Sequence, residues 1–406
     1  MEKEIKIQGM DNNGRGIAFV NNKITFIPYT LEGEIVDIEF TIQKKKYQEA
    51  KALHITNCNE NRVKPICPYY GTCGGCNLMH LTYQEQLNYK KKKGIDLLKK
   101  FAHLDMKDVP ILSSIPFSYR NKVTLHVKDG KIGFYEAGSH QLVEIEHCDL
   151  LPEKMNEIIM RLKKVDTINS VSKIMIRSFQ DGLETQVLFY PQEKLNEEEV
   201  IHSIKDLVTS IYIDDTCIYG KVWIQEQVGT LTYQVAPSSF FQVNTKGMKL
   251  LYDEIKKGLD PKKTDCVLDL YCGAGTIGIY IAKHVKHVYG VELNQAAIES
   301  AKVNKEINGL NNIDFYEGDT KKVLGKQKLS VNKVIVDPPR SGLDEKTRKE
   351  LLELSPERFI YVSCNPVTLA RDINEFKEKY QVLSTVFVDM FPNTDDVETV
   401  MTFVRK

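Results

Sequence analysis

A cysteine at the junction between a buried strand and a helix is the residue of this chain best suited to nucleophilic chemistry. Cys364 ends the apolar run Phe359-Ile-Tyr-Val-Ser-Cys and is followed by Asn365 and Pro366. The run predicts a buried strand, and Asn-Pro predicts a helix N-cap and first helical residue. Because a helix N-terminus favours thiolate over thiol, the pattern predicts a reactive cysteine. The alternative is a structural cysteine buried in the core.

An acidic segment near the end of the chain could supply a base. Met390-Phe-Pro-Asn-Thr-Asp-Asp-Val-Glu398 contains Asp395, Asp396 and Glu398. Carboxylates that lie close together raise one another's pKa, which suits a general base near neutral pH. A solvated turn would have the same composition, so this segment by itself does not establish a base.

A glycine-rich turn indicates a nucleotide-type cofactor. The segment Val267-Leu-Asp-Leu-Tyr-Cys-Gly-Ala-Gly-Thr-Ile-Gly278 is an apolar run that leads into a turn and a helix. Glu292, about 20 residues further on, could accept hydrogen bonds from ribose hydroxyls. The glycines could serve a dinucleotide or S-adenosylmethionine, and Asp269 ahead of them favours a methyltransferase over a dehydrogenase. A turn that only packs is the remaining alternative.

Two more apolar runs are followed by acidic residues. Val334-Ile-Val-Asp-Pro-Pro-Arg places Asp337 and Arg340 in a loop that its prolines stiffen. Amino-group methyltransferases usually have a base-stacking aromatic residue where Arg340 stands, so the arginine favours a different target. Asp319 follows another predicted strand and is a candidate contact to the cofactor's adenine or an ordinary turn residue.

A cysteine and a base beside a methyl donor match the chemistry needed at C5 of a pyrimidine. C5 is too poor a nucleophile to attack a methylsulfonium until a thiolate adds to C6 and gives C5 carbanion character. A base must then remove the C5 proton so that the thiol is eliminated. Cys364 and Glu398 are the candidates for these two roles.

Four other cysteines have the spacing of metal ligands. Three follow the pattern C-x5-C-x2-C and the fourth lies further along the chain. In a cytoplasmic chain such a group indicates metal ligands rather than disulfides. Zinc and an iron-sulfur cluster both accept four thiolates, and the spacing does not separate them. The candidate ligands are Cys67, Cys73, Cys76 and Cys148.

Composition indicates a soluble chain with more than one domain. Its 406 residues are 42% hydrophobic and 27% charged, which is typical of globular proteins too long for one core. The N-terminal residues lack the apolar core of a signal peptide and no run is long enough to span a membrane, so we expect a cytoplasmic protein. Lys+Arg and Asp+Glu balance at 55 each, so net charge does not indicate a polyanionic partner. The lysine runs 44–46 and 90–93 predict solvated faces, with a polyanion contact as the alternative.

Hydrophobic patterning divides the chain into three parts. Residues 1–57 contain short β-type runs separated by glycines, which predicts an OB-like barrel. Residues 58–235 are mixed in pattern and include the cysteine group. Residues 236–406 alternate buried strands with helices, which predicts a doubly wound, mainly parallel sheet with its sites at the strands' carboxyl ends. A helix over 82–100 could pack on this last domain.

The motifs together resemble those of the bacterial RNA uracil-5-methyltransferases, in particular the 23S rRNA (uracil-5-)-methyltransferases. Gly14-Arg-Gly-Ile-Ala and Phe26-Ile-Pro resemble the TRAM domain, an OB-like RNA-binding barrel. The cysteine spacing matches the family's [4Fe-4S] ligands. The resemblance implies a multi-domain α/β protein with a TRAM barrel, a mixed α+β iron-sulfur central domain and a Rossmann-like methyltransferase domain dependent on S-adenosylmethionine.

The same resemblance implies roles for individual residues. Cys364 in Ser-Cys-Asn-Pro matches the family's nucleophile, and Glu398 in Phe-Pro-x-Thr-x-x-x-Glu matches its base. The pair Asp395-Asp396 departs from the family pattern, which often has histidine or glycine there. Contacts with S-adenosylmethionine are implied for Gln242, Tyr271, Glu292, Asp319 and Asp337.

The function implied is methylation of a uridine at C5 in 23S rRNA, after the base is flipped out of the folded RNA, by a monomer that needs no protein partner. A TRAM domain and a cluster favour rRNA over tRNA, since tRNA-specific relatives usually lack both. A tRNA uracil-5-methyltransferase is the alternative. An NAD-dependent oxidoreductase would leave Cys364, Glu398 and the four cysteines unexplained, and a non-catalytic RNA-binding or iron-sulfur assembly protein is a third hypothesis.

Overall fold

A small closed barrel forms the N-terminal part of the protein. The computed structural model describes residues 1–237, 239–319, 323 and 330–406. The barrel strands are β1 (Glu2–Lys6), β2 (Gly9–Met10), β3 (Gly16–Val20), β4 (Lys23–Ile27), β5 (Ile35–Gln43) and β6 (Tyr47–Asn57), in the order β1-β5-β6-β4-β3-β2.

The barrel closes where the first strand changes partner. The Ile7 N–H donates to the Glu34 carbonyl at 2.8 Å, and the Gln8 N–H donates to the Ile17 carbonyl at 2.8 Å. Successive residues therefore pair with opposite edges of the sheet, and the first β-type run of the chain is divided into β1 and β2 at this point. Inward-facing side chains fill the interior, namely Ile7, Ala18, Val20, Ile27, Val36, Ile38 and Ala50.

The cysteine-rich segment leads from the barrel into a long helix and a short strand, α1 (Tyr83–Ala102) and β7 (Ile111–Ser113). A second sheet follows, built from β8 (Lys122–Lys128), β9 (Lys131–Tyr135), β10 (Leu142–Glu144), β11 (Val171–Phe179), β12 (Glu184–Pro191), β13 (Ser210–Ile213) and β14 (Thr216–Gly220), in the order β10-β9-β8-β11-β12-β13-β14. The helices α2 (Glu153–Leu162) and α3 (Glu197–Ile204) cover one of its faces. Short 3₁₀ turns at Asp166–Ser170 and Gln180–Gly182 and the hairpin β15 (Ile224–Val228) and β16 (Leu231–Val235) complete this part.

The C-terminal part is a sheet with helices on both faces. Its strands are β17 (Cys266–Leu270), β18 (His287–Glu292), β19 (Ile313–Glu317), β20 (Lys333–Val336), β21 (Arg358–Ser363), β22 (Tyr380–Asp389) and β23 (Glu398–Arg405), in the order β19-β18-β17-β20-β21-β23-β22-β7. The helices are α4 (Thr245–Leu259), α5 (Thr276–Ala282), α6 (Gln295–Ile307), α7 (Glu345–Leu354) and α8 (Pro366–Phe376). One hydrophobic core joins the sheet to α4, α5 and α6, and the other joins it to α1, α7 and α8.

Two elements from earlier in the chain complete this sheet. β7 pairs in parallel with β22 at the edge, through Phe387 and Ile111. α1 packs on the same edge at Gly94, where an added Cβ would lie 2.4 Å from the Phe387 ring. Glycine is therefore required for this close approach. The sequence pattern predicted the helix but did not predict β7.

Among the helices that the structure describes, none combines the length and apolar character needed to cross a membrane.

Candidate active site

The carboxyl ends of the central strands bring three of the predicted site residues together. β17, β20 and β21 are parallel neighbours, so Asp337 and Cys364 both follow strands that end at one edge of the sheet. β23 runs antiparallel to β21 and begins with Glu398 at that edge. Since Ser363 pairs with Thr399, the residues next to them, Cys364 and Glu398, lie side by side.

The start of α8 fixes the loop around the cysteine. The Asn365 side chain accepts a hydrogen bond from the Val367 N–H at 3.1 Å, and Pro366 occupies the first helical turn, as the sequence predicted. The Asn365 amide and the Thr368 hydroxyl also donate to the Arg340 carbonyl, at 3.1 and 3.2 Å. These bonds hold the loop after β20 against the loop that carries Cys364.

The fold raises the pKa of the Cys364 thiol in the ligand-free protein. Burial raises its pKa to about 11, and the carboxylates of Glu398, Asp337 and Asp396 add to the effect, while the Arg340 guanidinium opposes it. The expectation that the helix N-terminus would give a thiolate is therefore wrong for this state. Partial desolvation and nearby negative charge outweigh the partial charge of one helix end.

Glu398 has the raised pKa predicted for it. Its side chain is 6% exposed. Burial, with smaller contributions from Asp337 and Asp396, raises its pKa to about 8, against the opposing effect of Arg340. A carboxylate with a pKa in this range is suited to general base catalysis near neutral pH.

Asp395 does not belong to this carboxylate group, contrary to the crowding predicted for the acidic segment. Its carboxylate accepts hydrogen bonds from Lys93 Nζ at 2.9 Å and from the Asn77 amide at 2.7 Å. Burial by itself would raise its pKa, but Lys93 and Asn77 lower it. Asp396 instead pairs with Arg340, at 2.8 Å. The two adjacent aspartates thus bind different cations on different sides of the loop.

Two acids hold the glycine turn in place. Glu292 accepts hydrogen bonds from the backbone N–H groups of Gly273 at 3.2 Å and Asn294 at 2.9 Å. Asp269 is fully buried and accepts from the Gly278 N–H at 2.9 Å, and burial raises its pKa to about 8. Asp269 therefore shapes the turn from behind, while Glu292 stands partly exposed at the end of its strand.

Tyr271 and Asp319 both contact the start of α7. Tyr271 has a φ of 60°, which is uncommon for a residue other than glycine and marks a strained position at the turn. Its hydroxyl lies 3.3 Å from the Thr347 hydroxyl and 3.4 Å from the Asp344 carboxylate. The Asp319 carboxylate accepts a hydrogen bond from Lys346. A ligand that donates a hydrogen bond to the Asp319 carboxylate would compete with Lys346.

Gln242 lies where the second sheet meets the C-terminal part. Its carbonyl accepts from the Asn121 amide at 3.0 Å. Nearby, Asn244 caps α4 by accepting from the Gly247 N–H at 2.9 Å, and its amide donates to the Met390 carbonyl at 3.1 Å. The segment around Gln242 therefore connects the second sheet to the loop that precedes Glu398.

The four predicted ligand cysteines line one cavity. The cavity has a volume of about 390 Å³, and Arg120 and Lys122 contribute to its wall. Burial raises the pKa of every one of these thiols, and that of Cys148 to about 11. Within the described ranges, no three His, Cys, Asp or Glu side chains are grouped as ligands of one metal ion. The cysteines are Cys67, Cys73, Cys76 and Cys148.

Lys90 is buried, although the sequence pattern predicted an exposed position for it. The lysine run 90–93 predicted a solvated face, but Lys90 and Asp389 are both fully buried and their charged atoms are 2.6 Å apart. Lys90 also donates to the Phe391 carbonyl at 2.9 Å. Helical spacing could have predicted its burial, because Lys90 lies on the same face of α1 as the buried Leu87 and Leu97.

Comparison with known proteins identifies the family. The family model described as tRNA (uracil-5-)-methyltransferase matches residues 199–406, and the model of the TRAM domain matches residues 1–53. An uncharacterized RNA methyltransferase of Clostridium tetani is 34% identical over 434 residues, which cover 97% of this chain and 94% of the relative. The chain belongs to the RNA uracil-5-methyltransferase family. Another family relative, an uncharacterized RNA methyltransferase of Staphylococcus aureus, is also 34% identical and covers 98% of this chain and 96% of its own.

A solved structure in the same family shares the complete architecture. It is the tRNA (uracil-54, C5)-methyltransferase of Pyrococcus abyssi in complex with S-adenosyl-L-homocysteine. It is 28% identical, has a TM-score of 0.81 and covers 100% of both chains. The predicted family resemblance, the N-terminal TRAM barrel and the C-terminal methyltransferase fold are thereby confirmed.

Proposed function

We propose that this protein methylates C5 of a uridine in RNA, with S-adenosylmethionine as the methyl donor. The observation that carries the proposal is the placement of Cys364 and Glu398 side by side at the carboxyl ends of paired strands. C5 methylation needs one nucleophile for C6 and one base for the C5 proton. Family membership and the S-adenosyl-L-homocysteine bound by the Pyrococcus relative support the same conclusion.

The side chains suggest how the reaction proceeds. Cys364 adds to C6, and the electrons of the C5=C6 bond move toward C5 and the O4 carbonyl. Bound S-adenosylmethionine would supply the methyl group: C5, now nucleophilic, would attack the methyl carbon, and the bond from this carbon to sulfur would break to leave S-adenosylhomocysteine. Glu398 then takes the C5 proton, the C–H electron pair restores the C5=C6 bond, and the C6–S bond breaks to release the Cys364 thiolate.

Arg340 is suited to favour the thiolate at the first step. Its guanidinium faces both Asp396 and the Cys364 sulfur, and this pairing raises the pKa of Arg340. Burial is the largest cause of the raised pKa of Cys364, and the charges that add to it are carboxylates. A positively charged methylsulfonium against Asp337 would offset them and lower the pKa of the thiol. The nucleophile would thus become active when the methyl donor is bound.

We propose that the cofactor lies across the carboxyl ends of β17, β18, β19 and β20. Burial raises the pKa of Asp337 to about 6, and it sits closest to the Cys364–Glu398 pair in the electrostatics of the site. A sheet of this type binds its ligand outside the carboxyl ends of its strands. The proposed contacts are those implied by the family motifs, namely Gln242, Tyr271, Glu292, Asp319 and Asp337.

We further propose that the cysteine cavity holds a [4Fe-4S] cluster. Its four thiols are the donor set such a cluster requires, and Arg120 and Lys122 supply positive charge that would offset four thiolates. The described cysteines are not grouped as ligands of a single ion. The proposal rests on the shared cavity and on the resemblance of the cysteine spacing to the family's ligand motif. No step of the methylation is assigned to it.

Protein purified under anaerobic conditions should be brown and contain about four iron atoms per chain. The Cys73→Ser variant should lose the colour and most of the iron, whereas Cys217→Ser, outside the cavity, should keep both. Iron analysis and visible absorption measure this outcome. Retained colour in Cys73→Ser, or zinc in place of iron in the unmodified protein, would contradict the cluster.

The substrate proposed from the family motifs is 23S rRNA, and the structural comparison favours tRNA as a second candidate. The expectation of rRNA rested on the TRAM barrel and the cluster, both of which tRNA-specific relatives usually lack. The Pyrococcus enzyme, whose name specifies tRNA uracil-54, matches this chain over its full length, barrel included. The presence of the barrel therefore does not distinguish an rRNA substrate from a tRNA substrate, and both RNAs are tested directly.

RNA containing 5-fluorouridine tests the function and separates the substrates. Fluorine at C5 cannot leave as a cation, so the reaction should stop as a methylated covalent complex on Cys364. We expect this complex with a 23S rRNA transcript and not with a tRNA transcript, detected on denaturing gels and by peptide mass spectrometry. A complex with tRNA alone would reassign the substrate. Absence of any complex with either RNA in the presence of S-adenosylmethionine would rule out the proposed function.

A further inference from the structure

The loop that carries the proposed base is held from outside its own sheet. This base loop, residues 390–397, connects β22 to Glu398. Its residue Asn393 is 1% exposed and has a φ of 67°. Its N–H donates to the Gln86 side chain at 2.9 Å, its amide donates to the Pro116 carbonyl at 2.7 Å, and its carbonyl accepts from the Asn77 N–H at 3.1 Å.

Two lysines of α1, one helical turn apart, bind the two sides of the base loop. Lys90 pairs with Asp389, the last residue of β22, and donates to the Phe391 carbonyl. Lys93 donates to the Asp395 carbonyl at 2.8 Å and to its carboxylate at 2.9 Å. Lys93 therefore fixes both the backbone and the side chain of a residue three positions before Glu398.

Lys93 also decides which aspartate reaches the active site. With Asp395 bound by Lys93 and Asn77, Asp396 is the one that pairs with Arg340. The main charges that act on Glu398 are accordingly those of Asp337, Asp396 and Arg340. Without a cation at position 93, the Asp395 carboxylate would keep only Asn77 as a partner, and the segment between Asn393 and Glu398 would be held less firmly.

We infer that Lys93 is a positioning residue for Glu398, acting through Asp395, and that it sets the rate at which the methylated adduct is resolved. This inference rests on the proposed function. Cys364 and the proposed cofactor contacts belong to other loops, so Lys93 can influence adduct formation only indirectly, through the Asp396–Arg340 pair, and we expect that step to depend on Lys93 less than removal of the C5 proton does. Removal of the C5 proton requires the Glu398 carboxylate at one defined position, and small misplacements of a catalytic group cost large factors in rate.

A single-turnover experiment with unmodified RNA tests this directly. The substrate is the transcript that the wild-type protein methylates, and denaturing gels measure covalent protein–RNA complex over time. For Lys93→Met we expect resolution of the complex to slow about tenfold or more while its formation changes less than about twofold. Lys92→Met, an exposed lysine on the same helix, is the matched control and should behave as wild type.

Two further variants separate positioning from general loss of structure. Asp395→Asn removes the ion pair from the other side and should also slow resolution, and the double variant should be no slower than the worse single variant. Lys93→Arg restores the charge and should recover most of the resolution rate. The melting temperature of each variant is also measured and should equal that of wild type. A merely structural role would instead reduce formation and resolution together.

The outcomes distinguish failure of this inference from failure of the proposed function. If wild type and Lys92→Met form and resolve the complex but Lys93→Met resolves it at the wild-type rate, the positioning role is wrong and the function stands. Equal slowing of both steps in Lys93→Met also overturns the inference. If wild-type protein forms no covalent complex even with RNA that contains 5-fluorouridine, the proposed function itself fails.

Discussion

Replacement of Cys364 by alanine should reduce methyl transfer by a factor on the order of 10⁴ or more, as loss of an essential nucleophile does. Without a sulfur to add at C6, C5 stays too weak a nucleophile to attack the methyl donor. Incorporation of labelled methyl groups into RNA measures the loss. Binding of S-adenosylmethionine should be little changed, because the proposed cofactor contacts lie on other strands.

Two variants make this prediction specific. Cys58→Ala removes an exposed cysteine and should leave methylation unchanged. Cys364→Ser keeps the size and polarity of the side chain, but an alcohol is a far weaker nucleophile at neutral pH, so it should be as inactive as alanine. Normal turnover by Cys364→Ser would show that the sulfur is not the nucleophile.

Replacement of Glu398 by glutamine should cause the covalent adduct to accumulate, whereas loss of Cys364 prevents the adduct from forming. The glutamine variant blocks the last step of the reaction instead of the first. Glutamine cannot accept the C5 proton, so the methylated adduct should persist and most of the protein should be covalently bound to unmodified RNA. Denaturing gels measure the accumulated complex. Turnover should fall by a factor of about 10²–10⁴, the usual contribution of a general base.

The pH dependence of adduct resolution provides a second measure of Glu398. The carboxylate works only when deprotonated, and burial with Asp337 and Asp396 raises its pKa to about 8 in the ligand-free protein. Resolution by wild type should therefore rise with pH and level off above the pKa of the complex. Glu353→Gln, an exposed carboxylate of α7, should show the wild-type profile. Rapid resolution by Glu398→Gln would assign the base to another residue.

Local sequence patterns were sufficient to predict the strands and turns that carry the site residues. Cys364 and Glu398 were identifiable because an apolar run with an Asn-Pro cap, and an acidic segment before a β-type run, depend on residues close together in sequence. The barrel and the C-terminal alternation of strands and helices follow from hydrophobic periodicity for the same reason. The extra strand β7 has three residues, which are too few to give a periodic pattern in the sequence. It forms because its backbone pairs with the edge strand β22 in the folded protein.

The electrostatics of the site depended on tertiary contacts. The helix N-terminus suggested a thiolate at Cys364, but the pKa rises because the fold buries the sulfur beside carboxylates from two other loops. Asp395 and Asp396 are equivalent in sequence, and only the docking of α1 assigns one to Lys93 and the other to Arg340.

The sequence by itself determined which chemical groups the protein has and which strand ends carry them. The tertiary structure decided their charge states and the supports of the base loop. Lys90 and Asp389 are 299 residues apart, so no local pattern could show that they form a buried pair. Burial and the distance between charges control pKa and position, and both are set by elements that meet only when the chain folds.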